Sequence, residues 1–145
     1  MVATVSWINF APVKGMRVQP LDAVELTSDG VPGDREVILV GGDSAMGNAK
    51  RHGALMEVVP THAREAGALS LAFPDGSTVA GEVELGQPEA ITFFGQPESA
   101  RPVDGPFSAA ISEHAGTALR LMARPEGRPG VDRGKWGGVT LLGQA

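Results

Sequence analysis

The apolar positions of this chain come in short runs, broken repeatedly by glycine, proline and Asp-Gly. Residues 2–10 (VATVSWINF) are rich in β-branched side chains with Thr and Ser interleaved. They read as a strand that Pro12 ends, because proline cannot donate to a ladder. A loop at 13–17 follows, in which Gly15 is free to take a positive φ. Residues 18–27 (VQPLDAVELT) read as a second strand, with Pro20 marking an edge or a bulge, and Ser28-Asp29-Gly30 as a turn. Residues 36–40 (EVILV) and 55–60 (LMEVVP) are two further strands, with a small-residue loop at 43–49 between them. The sharpest local signal is ALSLAFP (68–74), Asp75-Gly76, STVAGEV (77–83). This is a hairpin pattern in which Asp-Gly favours a primed turn. Residues 91–94 (ITFF) form another apolar strand.

The pattern changes after Gly95. Phe107, Ile111 and Leu119 follow a roughly helical spacing, and Gly116 is a natural stop, which predicts one short helix over 108–115. Residues 119–123 (LRLMA) return to a strand. A Gly/Pro/Arg-rich loop over 124–138 carries Arg124, Arg128, Arg133 and Lys135, and 139–142 (VTLL) opens one more strand. No segment repeats internally. The reading is a mostly β chain, barrel-like, of about six or more strands. Its expected core is Val5, Trp7, Ile8, Val24, Leu26, Ile38, Val40, Val58, Leu71, Phe73 and Phe93. The barrel is expected over 1–95, and 96–145 forms a connecting helix and strand segment.

Composition supports this picture. Apolar residues make up 42% of 145, enough for a packed core, and 20 Gly with 11 Pro suit short strands and many turns. The net charge of −5 is uneven: residues 1–100 carry six basic and thirteen acidic side chains, residues 101–145 six basic and four acidic. An acidic body argues against nucleic acid as a partner, since phosphate backbones need a positive face. The sequence has no cysteine, which removes disulfides and thiolate metal sites, and its three histidines share no metal-ligand spacing. No apolar run approaches membrane-spanning length and no signal peptide opens the chain, so a cytoplasmic protein with no membrane partner is expected.

The candidate chemistry lies in basic clusters beside glycine. Lys14-Gly15-Met16-Arg17 and Gly33-Asp34-Arg35 flank the second strand, and a turn at Asp29-Gly30 lets them approach one another. Lysine offers a mobile point charge and arginine a fixed donor fork, and both suit a phosphate. Lys50-Arg51-His52 adds a third cluster as a further wall. The plainer reading stays open: Lys14 a solvated loop lysine, Arg35 paired with Asp34 or Glu36, and Arg51 in a solvated cluster. Asp34 and Glu36 are two acids close in sequence, and no acid–base role is read into them. No Ser-His-Asp order, phosphate-binding GxxxxGK loop or HExxH motif is present.

Several of these pieces occur in an order that resembles the N-terminal β-barrel domain of MOSC proteins. They are Pro12-Val13-Lys14-Gly15 after an apolar strand, Thr27…Gly30-Val31…Gly33-Asp34-Arg35, and Lys50-Arg51 before 55–59. The strand ending ITFFG, the helix SAAISEHAG, the strand LRLMAR and the terminal GGVTLLGQA follow in that order. That family includes the mitochondrial amidoxime-reducing component and the C-terminal part of molybdenum cofactor sulfurases. The resemblance implies molybdenum cofactor (molybdopterin) as the ligand. Lys14 and Gly15 match the family's cofactor-contacting PVK-S/G motif, Arg35 its GDR-type arginine, and Arg51 the basic residue that follows the third strand. The family often has Ser where this chain has Gly15, so a hydroxyl contact is lost and a backbone N–H kept. Its metal-ligating cysteine lies downstream of the point where this chain stops, and no cysteine stands in these 145 residues. No catalytic or metal-ligating residue is therefore assigned. The resemblance implies the cofactor side of a MOSC-type oxidoreductase or sulfur-transfer protein, with a MOSC catalytic domain supplied in cis or in trans. The alternative is a stand-alone, non-catalytic binding or interaction module of the same fold.

Overall fold

The run Val37-Ile38-Leu39-Val40 is apolar at every position, which demands a strand buried on both faces. The computed structural model, which describes residues 4–47, 49–126, 128 and 138–143 with the Arg64 side chain left out, builds the molecule around that strand. In chain order the elements are β1 (Ile8–Phe10), β2 (Gln19–Leu21), β3 (Val37–Gly41), β4 (Val59–Ala63), β5 (Ala68–Ala72), β6 (Thr78–Glu82), β7 (Glu84–Leu85), β8 (Glu89–Phe93), β9 (Gln96–Asp104), α1 (Phe107–Ala115) and β10 (Leu119–Ala123). The main sheet runs β3-β10-β9-β7, with β8 also paired to β9; β4-β5-β6 form a second sheet and β1-β2 a two-stranded ribbon. Every strand pair is antiparallel.

Successive side chains of β3 separate two cores. Val37 and Leu39 join Leu69, Leu71, Phe107, Ile111, Leu119 and Leu121 on one side. Ile38 and Val40 join Met46, Ile91, Phe93, Ala100 and Met122 on the other. Helix α1 closes the first core by burying Phe107 and Ile111, one turn apart, and ends at Gly116, whose φ of 67° is left-handed. Its serines also do the work of a strand. β9 reaches β10 only at Met122 and Ala123. Further along β10, Leu121 N donates to Ser108 Oγ and Leu119 N to Ser112 Oγ, each at 3.0 Å. The buried N–H groups of β10 are thus satisfied by hydroxyls four residues apart on the helix.

The mostly β architecture with one short helix agrees with the sequence reading, but the strand pairing does not close into a ring. Several local expectations change. The expected strands at 2–10 and 18–27 shrink to β1 and β2, and Val2 lies outside the described residues. Extended, β-branched sequence still needs a partner ladder, and β1 and β2 pair only with each other. For the same reason Val5, Trp7 and Leu26 are not core: they are 70%, 50% and 67% exposed. Ile8 and Val24 are half-buried, and the other expected core residues are buried. The segment 55–60 opens as a 3-10 turn (Gly53–Glu57), and only its end enters β4. Residues 139–142 carry no strand, although Gly138 packs on Gly30 so tightly that a Cβ on Gly30 would sit 2.9 Å from the Gly138 carbonyl oxygen. Arg133 and Lys135 lie outside the described residues.

The longest strand, β9, was not anticipated, because Pro97 and Pro102 interrupt its sequence pattern. It links β8, β7 and β10, so the sheet runs through residue 95. The Asp75-Gly76 hairpin also differs in its turn. Only Gly76 (φ 88°) is left-handed, Gly76 N donates to Phe73 O and Phe73 N to Ser77 O. This is a three-residue loop, Pro74-Asp75-Gly76, and not a primed two-residue turn. Pro74 fixes φ near −65° and forces an unprimed first step. Among the described residues, no helix is long and apolar enough to cross a membrane.

Candidate functional site

The loop after β1 is held from both sides. Ala11 N donates to Asp34 Oδ1 at 2.8 Å, and Arg35 N donates to Ala11 O at 2.6 Å. Two residues on, Val13 bridges Val37, and Lys14 N donates to Val37 O at 2.9 Å. The Gly33-Asp34-Arg35 turn is itself tied, with Gly33 N donating to Glu36 Oε1 at 2.9 Å and Asp34 N to Val31 O at 3.0 Å. Asp34 is buried, and a buried carboxylate needs partners. It has the Ala11 amide and the Arg35 guanidinium, which is ion-paired to Oδ2. Asp34 and Glu36 are therefore braces for the two loops.

The third basic segment arrives on the other flank. A Cβ built on Gly15 (φ 89°) would lie 3.9 Å from Ala49 N, so the chain leading to Lys50 and Arg51 begins beside Gly15. The fold thus brings the backbone segments carrying Lys14, Gly15, Arg35 and Arg51 to the single loop 11–15. Arg51 is exposed, while Lys14 and Arg35 are half-buried. Of the charged tips, the Arg35 guanidinium sits on Asp34, the pairing anticipated by the plainer reading. The Lys14 ammonium lies 5.2 Å from the centroid of the Phe94 ring.

Two of these residues share an uncommon backbone state. Arg35 (φ 53°) and Phe94 (φ 48°) are left-handed without being glycine, as is Ser44. Such a conformation costs about 1–2 kcal/mol for an L-residue with a Cβ. It persists where surrounding structure enforces it, commonly at functional positions. Neither of the two clefts described is lined by Lys14, Gly15, Arg35 or Arg51. One of about 290 Å³ is lined by Asp29, Asp34, Glu36 and Glu126 together with Arg128, a mostly acidic wall. Asp34, which lines that cleft, also holds the basic loop through the Ala11 amide.

Sequence reasoning missed Phe94, which reads as the end of an apolar strand. The available signal was the glycine after it, closing a two-residue loop between β8 and β9. It also grouped Arg124 with a solvated loop. Arg124 is 5% exposed, makes a bidentate pair with Glu98 at 2.8 and 3.0 Å, and stacks 4.0 Å from the Phe93 centroid. It is a packing residue. His114 meets the Ala54 carbonyl at 3.2 Å and the Phe73 ring at 5.3 Å, a structural setting.

Toward a phosphate the loop presents an ammonium and glycine backbone that keeps side chains away, while the Arg35 guanidinium is already paired with Asp34. The metal end has no donor here: there is no cysteine, and among the described residues no three His, Asp or Glu group to hold an ion.

Comparison with known proteins supports the fold and the family. No curated protein matches. A solution structure from Bordetella bronchiseptica is similar over 63% of this chain and 73% of its own, with a TM-score of 0.52 and 18% identity, which bears on fold alone. The model of the family described as the MOSC N-terminal beta barrel domain matches residues 2–112. That match spans most of the chain, including both basic loops and the first two thirds of α1, and the chain belongs to this family.

Proposed function

We propose that this domain holds the phosphate end of a molybdopterin-type cofactor. Lys14 and Arg35 supply the charge, Gly15 the close backbone approach, and Arg51 a further cation. The observation that carries this reading is the joining of the 11–15 and 33–35 loops through Ala11, with Arg35 held in a left-handed conformation that asparagine or glycine would adopt at lower cost. Coulombic attraction positions the phosphate and excludes neutral ligands, and the bound cofactor supplies the redox or sulfur-transfer chemistry. These residues bind and orient; no proton transfer is assigned to them. The metal would be completed by a MOSC catalytic domain, in cis or in trans. The cytoplasm is the location proposed for the protein.

The test is a fluorescence titration of the 145-residue chain with neopterin phosphate, a pterin carrying a terminal phosphate. Lys14→Ala and Arg35→Asn should each weaken binding by about tenfold, the value of one charge-assisted contact. Asparagine keeps the left-handed backbone available, so loss of binding there is not loss of the turn. Equal affinity in the parent and both variants would remove the phosphate site and leave the non-catalytic interaction module as the better reading.

A further inference from the structure

Phe94 combines two unfavourable features. Its φ of 48° is left-handed, and its side chain is 45% exposed at the tip of the β8–β9 hairpin. A two-residue loop with both residues at positive φ, as at Phe94 and Gly95 (φ 75°), is the natural place for Asn-Gly. Phenylalanine there gives up turn stability and leaves apolar area in water. The ring is nevertheless held in place. Phe93 meets it edge-on at 4.9 Å and 81°, and the Lys14 ammonium lies over it.

Resting on the phosphate reading above, we infer that Phe94 is a stacking platform that makes the site selective for a phosphate attached to a planar heterocycle. A ring face that attracts an ammonium also accepts a flat aromatic ligand. When a phosphate draws the Lys14 ammonium toward itself, the face it leaves becomes available to the ligand's ring. Lys14 and Phe94 thus read the two ends of one molecule, and inorganic phosphate satisfies only the first. The edge contact from Phe93 fixes the ring's plane in advance, so little freedom is lost when the ligand stacks.

The experiment compares neopterin phosphate with inorganic phosphate on the same protein, reading the ratio of their affinities. In the parent the pterin should bind more tightly by about fivefold or more, the range for one aromatic stack. Phe94→Asn, which suits the turn and keeps the hairpin folded, and Phe94→Leu should both bring that ratio close to one. Phe94→Trp should preserve it. A ratio that is the same in the parent, Phe94→Asn and Phe94→Leu overturns the platform while leaving the phosphate site standing. If neither ligand's binding depends on Lys14, the phosphate reading fails and this inference fails with it.

Discussion

The molecule contains two antiparallel hairpins whose turns reverse the usual relation between sequence and geometry. β5 and β6 are joined through Pro74-Asp75-Gly76, where Asp-Gly is the strongest short-range signal for a primed turn, yet the loop is unprimed. β8 and β9 are joined by Phe94-Gly95, whose first residue argues against left-handed backbone, yet both residues have positive φ. In the first, one proline overrides the Asp-Gly signal, and the loop is stabilised by its own chemistry: Ser77 N and Ser77 Oγ both donate to Asp75 Oδ1, at 2.8 and 2.6 Å. In the second, tertiary structure holds the turn. Met46 N donates to Thr92 O and Thr92 N to Ser44 O, pinning the strand before the turn to the 42–47 loop. Arg124 clamps Phe93 and Glu98 on either side of it. The first turn is held by its own side chains, and the second is imposed from outside, which is where a site is worth seeking.

The largest effect should come from removing that clamp. Arg124→Ala leaves Glu98, 12% exposed, as an unpaired carboxylate beside an uncovered Phe93 ring. Breaking a buried pair of this kind costs about 3 kcal/mol or more. A urea transition should show the loss, with amide exchange rising in β8 and β9 before β5 and β6. A cost below about 1 kcal/mol, the range of surface pairs, would mean that the second hairpin is not held from outside.

Smaller, and opposite in sign between the hairpins, are changes at the left-handed positions. Phe94→Asn should stabilise the protein by about 1 kcal/mol, because asparagine tolerates the conformation that phenylalanine resists. That corresponds to a rise of a few degrees in melting temperature for a domain of this size. Gly76→Ala should destabilise it by about 1 kcal/mol, since a Cβ at φ 88° is strained whatever space surrounds it. If Phe94→Asn lowers the melting temperature, the ring contributes more through Phe93 and Lys14 than its backbone loses, and the strain argument collapses.

The same contrast shows what the sequence can and cannot reveal. β3, β5, β8, β10 and α1 were legible because their apolar periods coincide with buried faces, and Gly116 marks the helix end. Trp7 and Val5 misled because a strand-like pattern says nothing about whether a partner sheet exists. β9 was hidden by prolines, although each sits at a position the ladder tolerates. Lys14 and Arg35 were legible as cations near Gly15 and Gly33, whereas the tie between their loops through Ala11 was not, because it rests on an Asp34 carboxylate and a backbone amide that no sequence pattern marks. Phe94 was not, because its role depends on a φ angle set by the residues around the hairpin.

The finest discrimination between the hairpins is their response to acid. Asp75 has its pKa lowered from 3.8, first by the Ser77 hydroxyl and then by the Ser77 N–H, both of which favour the charged carboxylate. The native state therefore binds fewer protons here than the unfolded chain, and the turn's contribution is fully present above 3.8. It is lost as pH falls below that value through the lower folded pKa. Because Asp75 is fully solvent-exposed, the effect is small and screened by salt. Asp75→Asn should flatten the fall in melting temperature below about pH 4, and in the parent the Ser77 amide should exchange faster on acidification. Phe94-Gly95 carries no ionisable side chain, so the Gly95 amide should show no such acid step. A matching step at both amides would place the acid response in the body of the sheet, and the first hairpin could no longer be described as held by its own turn.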